Sequence, residues 1–225
     1  MPNCEWKNIE CVFLDMDGTL LDLNYDNFIW GTLFPERYGE IKGISLAQAN
    51  DFLGEHMRKV RGTLQFYDLD HWQQLTGVNM HNMHLEALSL LRYRPGALAF
   101  LAWLADAGIK AVMATNAHHT SIRVKNQKTH ICDAFDAIVS SHDFGYSKET
   151  DAFWHSLMAA HPHDPNRCVF IDDNKFVLDA AKRNNIGNLF IVDTPDSERP
   201  PRGNLSYPKF DRFDEIYPME TTRRD

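Results

Sequence analysis

Cys11-Val12-Phe13-Leu14-Asp15-Met16-Asp17-Gly18-Thr19-Leu20 is an apolar run that ends in two carboxylates. A short run rich in Val and Phe and closed by a glycine reads as a buried strand, with Asp15 at the carboxyl end, where an open parallel sheet binds ligands. If the strand continued, Asp15 and Asp17 would face the same way, and Gly18 frees the backbone to turn beyond them. Taken alone, the stretch leaves two readings open. In one, the two acids hold a hard cation, or one is a nucleophile with an acid/base partner beside it. In the other, the stretch is a solvated exit from strand to turn, where Asp and Gly are common.

The 225-residue chain exceeds one typical domain and falls short of two, which suits a core carrying a sizeable insertion, and 44% apolar residues can fill that core. No apolar run is long enough to span a bilayer, and Met1 to Glu10 lacks the regions of a signal peptide, so the expectation is a cytoplasmic protein without a membrane partner. A formal net charge of −8 argues against nucleic acid as a partner. It also means that an anionic substrate must be attracted locally, by a metal or a placed lysine. Cys4, Cys11, Cys132 and Cys168 show no paired spacing and read as free thiols in a reducing compartment. Among the eleven histidines, the close pairs His118-His119, His81 with His84, and His161 with His163 match no zinc spacing and read as surface or loop residues.

After the opening strand, too many residues pass before the next strand signal for a simple connection. Ser45-Leu46-Ala47-Gln48 has the pattern of a capping box. Leu46, Ala49, Leu53, Met57 and Val60 then recur at helical spacing, which predicts a helix ending near Arg61-Gly62. Leu69, Trp72 and Leu75 before Gly77, and Leu85, Leu88 and Leu91, predict two more. The gap therefore reads as a helical insert over 22–92, closed by Arg92-Tyr93-Arg94-Pro95-Gly96. From Pro95 helix and strand alternate. Leu98, Leu101, Ala102 and Ala105 predict one helical face, and strands are predicted at 110–114, 137–139, 168–171 and 189–192. Helices fall between them, Ser140 to Lys148 reads as a loop, and the proline-bearing tail reads as irregular and surface-bound. The fold class is α/β: a doubly wound parallel sheet, formed by a core domain over 1–21 and 93–225, with an inserted α-helical cap domain over 22–92.

In that architecture Asp15 and Asp17, Thr115 and Asn116, Lys148, and Asp172 and Asp173 share one edge of the sheet. Carboxylates gathered in one cleft repel, and the cluster predicts a divalent metal; oxygen-only ligands favour Mg²⁺ over zinc. Mg²⁺ and Lys148 together make a cationic pocket for phosphate, with Thr115 and Asn116 adding hydrogen bonds. One carboxylate can then attack phosphorus to give an aspartyl-phosphate, while another serves as acid and base.

Asp15-Met16-Asp17-Gly18-Thr19, then Thr115-Asn116, then Lys148, then Asp172-Asp173 resemble the four ordered signatures of the haloacid dehalogenase-like (HAD) superfamily. The resemblance covers almost the whole chain. It implies that Asp15 is the nucleophile, Asp17 the general acid/base, Thr115 a phosphoryl donor and Lys148 the positioning cation. It implies a metal held by Asp15, the backbone carbonyl of Asp17 and the strand-end acids, Asp173 first and Asp172 in support. Leu14 to Leu23, Asp26-Asn27, Trp30, Thr115-Asn116-Ala117-His118, Phe144-Gly145-Tyr146, Lys148-Glu149 and Phe170 to Asp173 resemble, more narrowly, the bacterial GMP/IMP nucleotidases. That likeness implies hydrolysis of purine nucleoside 5′-monophosphates, a small-molecule phosphate ester being the partner. The third signature departs from many relatives, with Ser147 before the lysine and Glu149 where proline is common. Dehalogenation is disfavoured because it has no use for Asp17, whereas a phosphomutase or a phosphatase of another small ester, such as a sugar phosphate, stays open. A non-catalytic binding relative would be expected to have lost one of these groups. The oligomeric state, monomer or homodimer, stays open as well.

Asn116 serves either catalysis or as the cap of the next helix. His118, next to the second signature, reads either as a substrate contact or, in preference, as a solvated helix start; Asp179 reads as solvent-facing, Asp193 as an ordinary strand exit, and Arg58, Lys59 and Arg61 as complements to a helix dipole. Tyr25, Phe28, Trp30, Phe66 and Tyr67 are candidates for a base-stacking platform, and Trp72 is expected in the core.

Overall fold

The computed structural model describes residues 4–203 and 206–218; the ends of the expected core domain lie outside the described residues. Its strands are β1 (Cys11–Leu14), β2 (Lys110–Thr115), β3 (Ala137–Ser140), β4 (Cys168–Asp172), β5 (Asn188–Val192) and β6 (Lys209–Phe210). They form one parallel sheet in the order β3-β2-β1-β4-β5-β6. The chain builds outward from β1 in one direction, returns, and builds outward in the other. The direction reverses between β1 and β4, which leaves a crevice beyond their carboxyl ends.

Between β1 and β2 lie α1 (Asn24–Phe28), a π-helical turn (Ile29–Leu33), α2 (Phe34–Lys42), α3 (Leu46–Val60), α4 (Leu64–Tyr67), α5 (Leu69–Thr76), α6 (Met80–Glu86), a 3-10 turn (Leu88–Leu90) and α7 (Ala97–Asp106). After β2 come α8 (His119–Thr129), α9 (Ser141–Phe144) following β3, α10 (Asp151–Ala160), and α11 (Lys175–Arg183) following β4. Among the described residues no helix is long and apolar enough to cross a membrane.

The apolar run of β1 is continuous because both faces of the sheet are covered. Val12 and Leu14 join Met113, Ile171, Phe100 and Leu104 in one core, which extends into the helices of the insertion. Cys11 and Phe13 join Ala114, Phe153, Trp154 and Phe170 in the other. Burying a Phe or Leu side chain fully is worth about 1.5–3 kcal/mol, so such strands hold their register firmly. Helix α3 starts as its sequence predicts: the Ser45 hydroxyl accepts from Gln48 N at 3.3 Å and Ser45 N donates to Gln48 Oε1 at 3.0 Å. All four cysteines are free, with Cys11 and Cys168 buried side by side on β1 and β4.

The structure corrects several expectations. The helix expected over Leu85 to Leu91 starts earlier, where Asn79 caps α6 by accepting from Asn82 N at 2.9 Å, and the chain past Glu86 tightens into the 3-10 turn. The expected loop from Ser140 contains α9, whose capping box joins Ser140 and Asp143. On α7 the buried face is Ala97, Phe100, Leu101 and Leu104, while Leu98 is 55% exposed. The cause lies in the tail, which is not irregular throughout. β6 pairs with β5, Phe210, Phe213 and Ile216 are buried, and Phe213 stacks on Phe100 at 5.0 Å between ring centroids. The tail thus completes the core on the α7 side.

Phe213→Ala is therefore expected to cost about 3–5 kcal/mol of unfolding free energy. Leu98→Ala should stay within about 0.5 kcal/mol. Denaturant unfolding of the two variants checks both.

Candidate active site

Asp15 lengthens the ladder of β1 by one bond, its N–H donating to the Ile171 carbonyl at 3.0 Å. That register sets it beside Asp172, the last residue of β4. The Lys148 ammonium lies between them, donating to Asp15 Oδ1 at 2.5 Å, Asp172 Oδ2 at 2.8 Å and the Ala114 carbonyl at 2.9 Å. Lys148 is buried, so the three donors of its ammonium are spent on these three acceptors. Burial works against its charge, but the two carboxylates outweigh that and raise its pKa.

Its backbone is fixed as well. Asn116 Oδ1 accepts from Lys148 N at 2.9 Å, and Trp154 Nε1 donates to the Lys148 carbonyl at 2.8 Å. Asn116 Nδ2 donates to Glu149 Oε2 at 3.0 Å, so Asn116 ties β2 to the lysine loop and does not cap α8. The cap is His118, a half-buried side chain whose Nδ1 accepts from Thr120 N at 3.3 Å. The Thr115 hydroxyl accepts from Ala117 N at 3.0 Å, which leaves its proton for another partner.

Asp15, Asp172 and Asp173 bring carboxylate oxygens within 4.8 Å of one another. Burial pushes all three upward, Asp15 to about 7 and the other two to about 6. Lys148 opposes this at Asp15 and Asp172, and Arg202, 2.9 Å from Asp173 Oδ2, opposes it at Asp173. Three buried acids share one ammonium and one guanidinium, so a cation would relieve the excess charge, and an all-oxygen donor set suits a hard one. Asp172 already accepts on both oxygens, from Lys148 and from Asn174 N at 2.7 Å. Gly18 is obligatory here for two reasons: its φ is +83°, and a Cβ would stand 2.8 Å from Asp173 Cγ.

Asp17 does not continue the strand. The chain turns, Gly18 N donating to the Leu21 carbonyl at 2.8 Å, and the Asp17 side chain departs from the acidic cluster toward Lys125, 2.7 Å from its Oδ1. Asp15, Asp17, Thr115, Asn116, Lys148, Asp172 and Asp173 nevertheless all line one cavity of about 930 Å³. The insertion supplies its other wall, with Trp30, Arg61, Phe66 and Tyr67. The Tyr67 hydroxyl donates to Glu149 Oε1 at 2.7 Å and the Ser147 hydroxyl to the Gly62 carbonyl at 3.0 Å, so both residues that depart from the common third signature bind the insertion. Tyr25 and Trp72 are core residues, buried completely.

Three groups escaped the sequence reading. Lys125 falls on the inward face of α8, next to the buried Val124 and three residues after Ile122, a position where a lysine should have drawn notice. Arg202 reaches in from the tail and carries no local signal. His84 is a correction: it is buried, not a surface residue, with the Tyr25 hydroxyl donating to its carbonyl at 2.7 Å, and burial lowers its pKa to about 3. Asp179 takes surface bonds from Lys175 and Tyr207, and Asp193, at the exit of β5, pairs with Lys209.

Residues 9–185 match the family model of the haloacid dehalogenase-like hydrolases. The chain belongs to that family. It is an enzyme, a hydrolase. GMP/IMP nucleotidase YrfG of Escherichia coli K12 is 33% identical over 216 residues, covering 96% of this chain and 97% of its own, and the Shigella flexneri protein of that name matches equally. Among solved structures, a HAD phosphatase from Thermococcus onnurineus superposes with a TM-score of 0.75 at 18% identity, over 92% of this chain and 96% of its own. The HAD-hydrolase YfnB of Bacillus subtilis, solved with magnesium, has a TM-score of 0.64 at 14% identity, over 93% of this chain and 97% of its own. These two likenesses concern the fold.

Because protons compete for acids whose pKa values are raised to about 6 and 7, divalent-cation affinity is expected to fall as pH drops from 8 through that range. Calorimetric titration with MgCl₂ at pH 8 and pH 5.5 should show at least about tenfold weaker binding at the lower pH. Asp173→Asn should remove the binding at both.

Proposed function

We propose that this hydrolase is a Mg²⁺-dependent phosphatase of nucleoside 5′-monophosphates, GMP and IMP foremost, working through an aspartyl-phosphate on Asp15. The observation that carries the reading is the buried Lys148 ammonium held against Asp15 at the floor of a cavity large enough for a nucleotide. The identity to the GMP/IMP nucleotidases over nearly the whole chain supports the substrate.

Asp15 attacks phosphorus and the ester P–O bond breaks. Lys148 orients the nucleophile and attracts the phosphoryl oxygens, and Thr115 and Asn116 line the side on which those oxygens sit. Asp17 gives a proton to the leaving alkoxide, then takes one from the water that hydrolyses the aspartyl-phosphate. Mg²⁺ would be held by Asp15, the backbone carbonyl of Asp17 and Asp173, with Asp172 in support through Lys148. When bound, the ion screens the repulsion between an anionic nucleophile and an anionic ester. The free share of the Asp173 carboxylate, against the fully engaged Asp172, supports that assignment.

Residues 22–92 act as a cap over the core formed by 1–21 and 93–225, and their aromatic wall gives the purine a surface to stack on. A phosphomutase shares these groups and differs in returning phosphate to the substrate.

Purified protein with MgCl₂ should release phosphate from GMP and IMP faster than from sugar phosphates, and a chelator should abolish the release. No release from any monoester would overturn the reading. Asp15→Asn should lower kcat at least about a thousandfold with the fold intact by circular dichroism. Asp17→Asn should lower kcat/KM for a nucleotide by about 10²–10⁴-fold and for p-nitrophenyl phosphate, whose leaving group needs no proton, much less.

A further inference from the structure

Lys125 is fully buried on α8, with Nζ 2.7 Å from Asp17 Oδ1. The same ammonium donates to Asp26 Oδ1 at 2.7 Å and Oδ2 at 3.0 Å. It stands 5.1 Å from the centre of the Tyr25 ring. One cation thus joins three separate pieces of chain: α8 of the core, the turn that carries Asp17, and α1, the first helix of the insertion. Burying an ammonium is costly unless it is paired, and an apolar side chain at this position would pack without that cost. The arrangement calls for a use.

Asp17 needs a holder. It sits on a sharp turn beside Gly18, its side chain is 20% exposed, and among the described residues its buried Oδ1 takes no hydrogen bond and has only the ion pair with Lys125. Left alone, such a carboxylate would sample rotamers that face water. The directed hydrogen bonds of Lys125 go to Asp26, so Asp26 fixes the ammonium and the ammonium in turn fixes Asp17.

We propose that Lys125, anchored by Asp26, is a positioning residue that holds the Asp17 carboxyl toward the leaving group. With Oδ1 against the ammonium, Oδ2 is the oxygen available to give or take the proton. Because Asp26 lies on α1, the placement of the acid depends on the seating of the insertion's first helix. The inference rests on the phosphatase reading and adds to it a group that touches no substrate.

The test is Lys125→Met in the full-length protein, assayed by kcat/KM on GMP and on p-nitrophenyl phosphate. This ratio reports steps up to phosphoryl transfer to Asp15, so later hydrolysis does not intrude. A holder of the acid should lose about a hundredfold or more on GMP and less than about fivefold on the aryl ester. Lys125→Met combined with Asp17→Asn should be no worse on GMP than Asp17→Asn alone. If Lys125→Met leaves two unpaired acids that prevent folding, Lys125→Met with Asp26→Asn removes one charge and should show the same leaving-group selectivity. Equal losses on the two esters, or additive losses in the double variant with Asp17→Asn, would overturn the proposal. A wild-type protein inactive on every ester would instead overturn the phosphatase reading.

Discussion

The ammonium of Lys148 is the interaction on which the site depends. It lies in the low-dielectric interior between the ends of β1 and β4 and spends its donors on Asp15, Asp172 and the Ala114 carbonyl at the end of β2. A cation bonded to the ends of three neighbouring strands is possible only where those strands run parallel and in register, so that their carboxyl ends share one edge. The two buried cores enforce that register. The energy that holds the strands is hydrophobic, and what it sets in place is a cluster of acids that would repel one another in isolation.

The second constraint is steric and electrostatic at once. Gly18 lets Asp173 come within a distance that any side chain would block, and the same turn sends Asp17 away from Asp15 and toward Lys125. Two acids two residues apart therefore sit in different surroundings. Asp15 faces an ammonium and two acids at the cavity floor, and Asp17 faces an ammonium shared with the insertion. The insertion closes the cavity through Tyr67 on Glu149 and Gly62 on Ser147, so the wall that faces the substrate bonds to both neighbours of Lys148.

The sheet was legible in the sequence because parallel strands buried on both faces leave unbroken apolar runs, as at Cys11 to Leu14 and Cys168 to Ile171. The convergence of Asp15, Asp172 and Asp173 follows from topology, since residues at the ends of neighbouring parallel strands meet at one edge, whereas Lys148 lies past α9 on the connection after β3 and reaches that edge with its side chain. What the sequence did not reveal was set by long-range packing. Leu98 looked like core and is exposed because Phe213, more than a hundred residues away, claims Phe100. β6 is too short to leave a periodic signal, and Arg202 sits in a stretch with no pattern. Lys125 carries no reading from the sequence and His84 reads as a surface or loop residue, yet α8 and α6 turn both inward, to Asp26 and Tyr25.

On the proposed route Asp15, placed by Lys148, attacks phosphorus and hydrolysis is a double displacement, while a water molecule attacking directly would make it a single one. The stereochemical course at phosphorus separates these without requiring the intermediate to accumulate. A nucleoside 5′-phosphorothioate made chiral with oxygen isotopes, hydrolysed by the enzyme in isotopically labelled water, is expected to yield thiophosphate with retained configuration. Inversion would contradict the aspartyl-phosphate route.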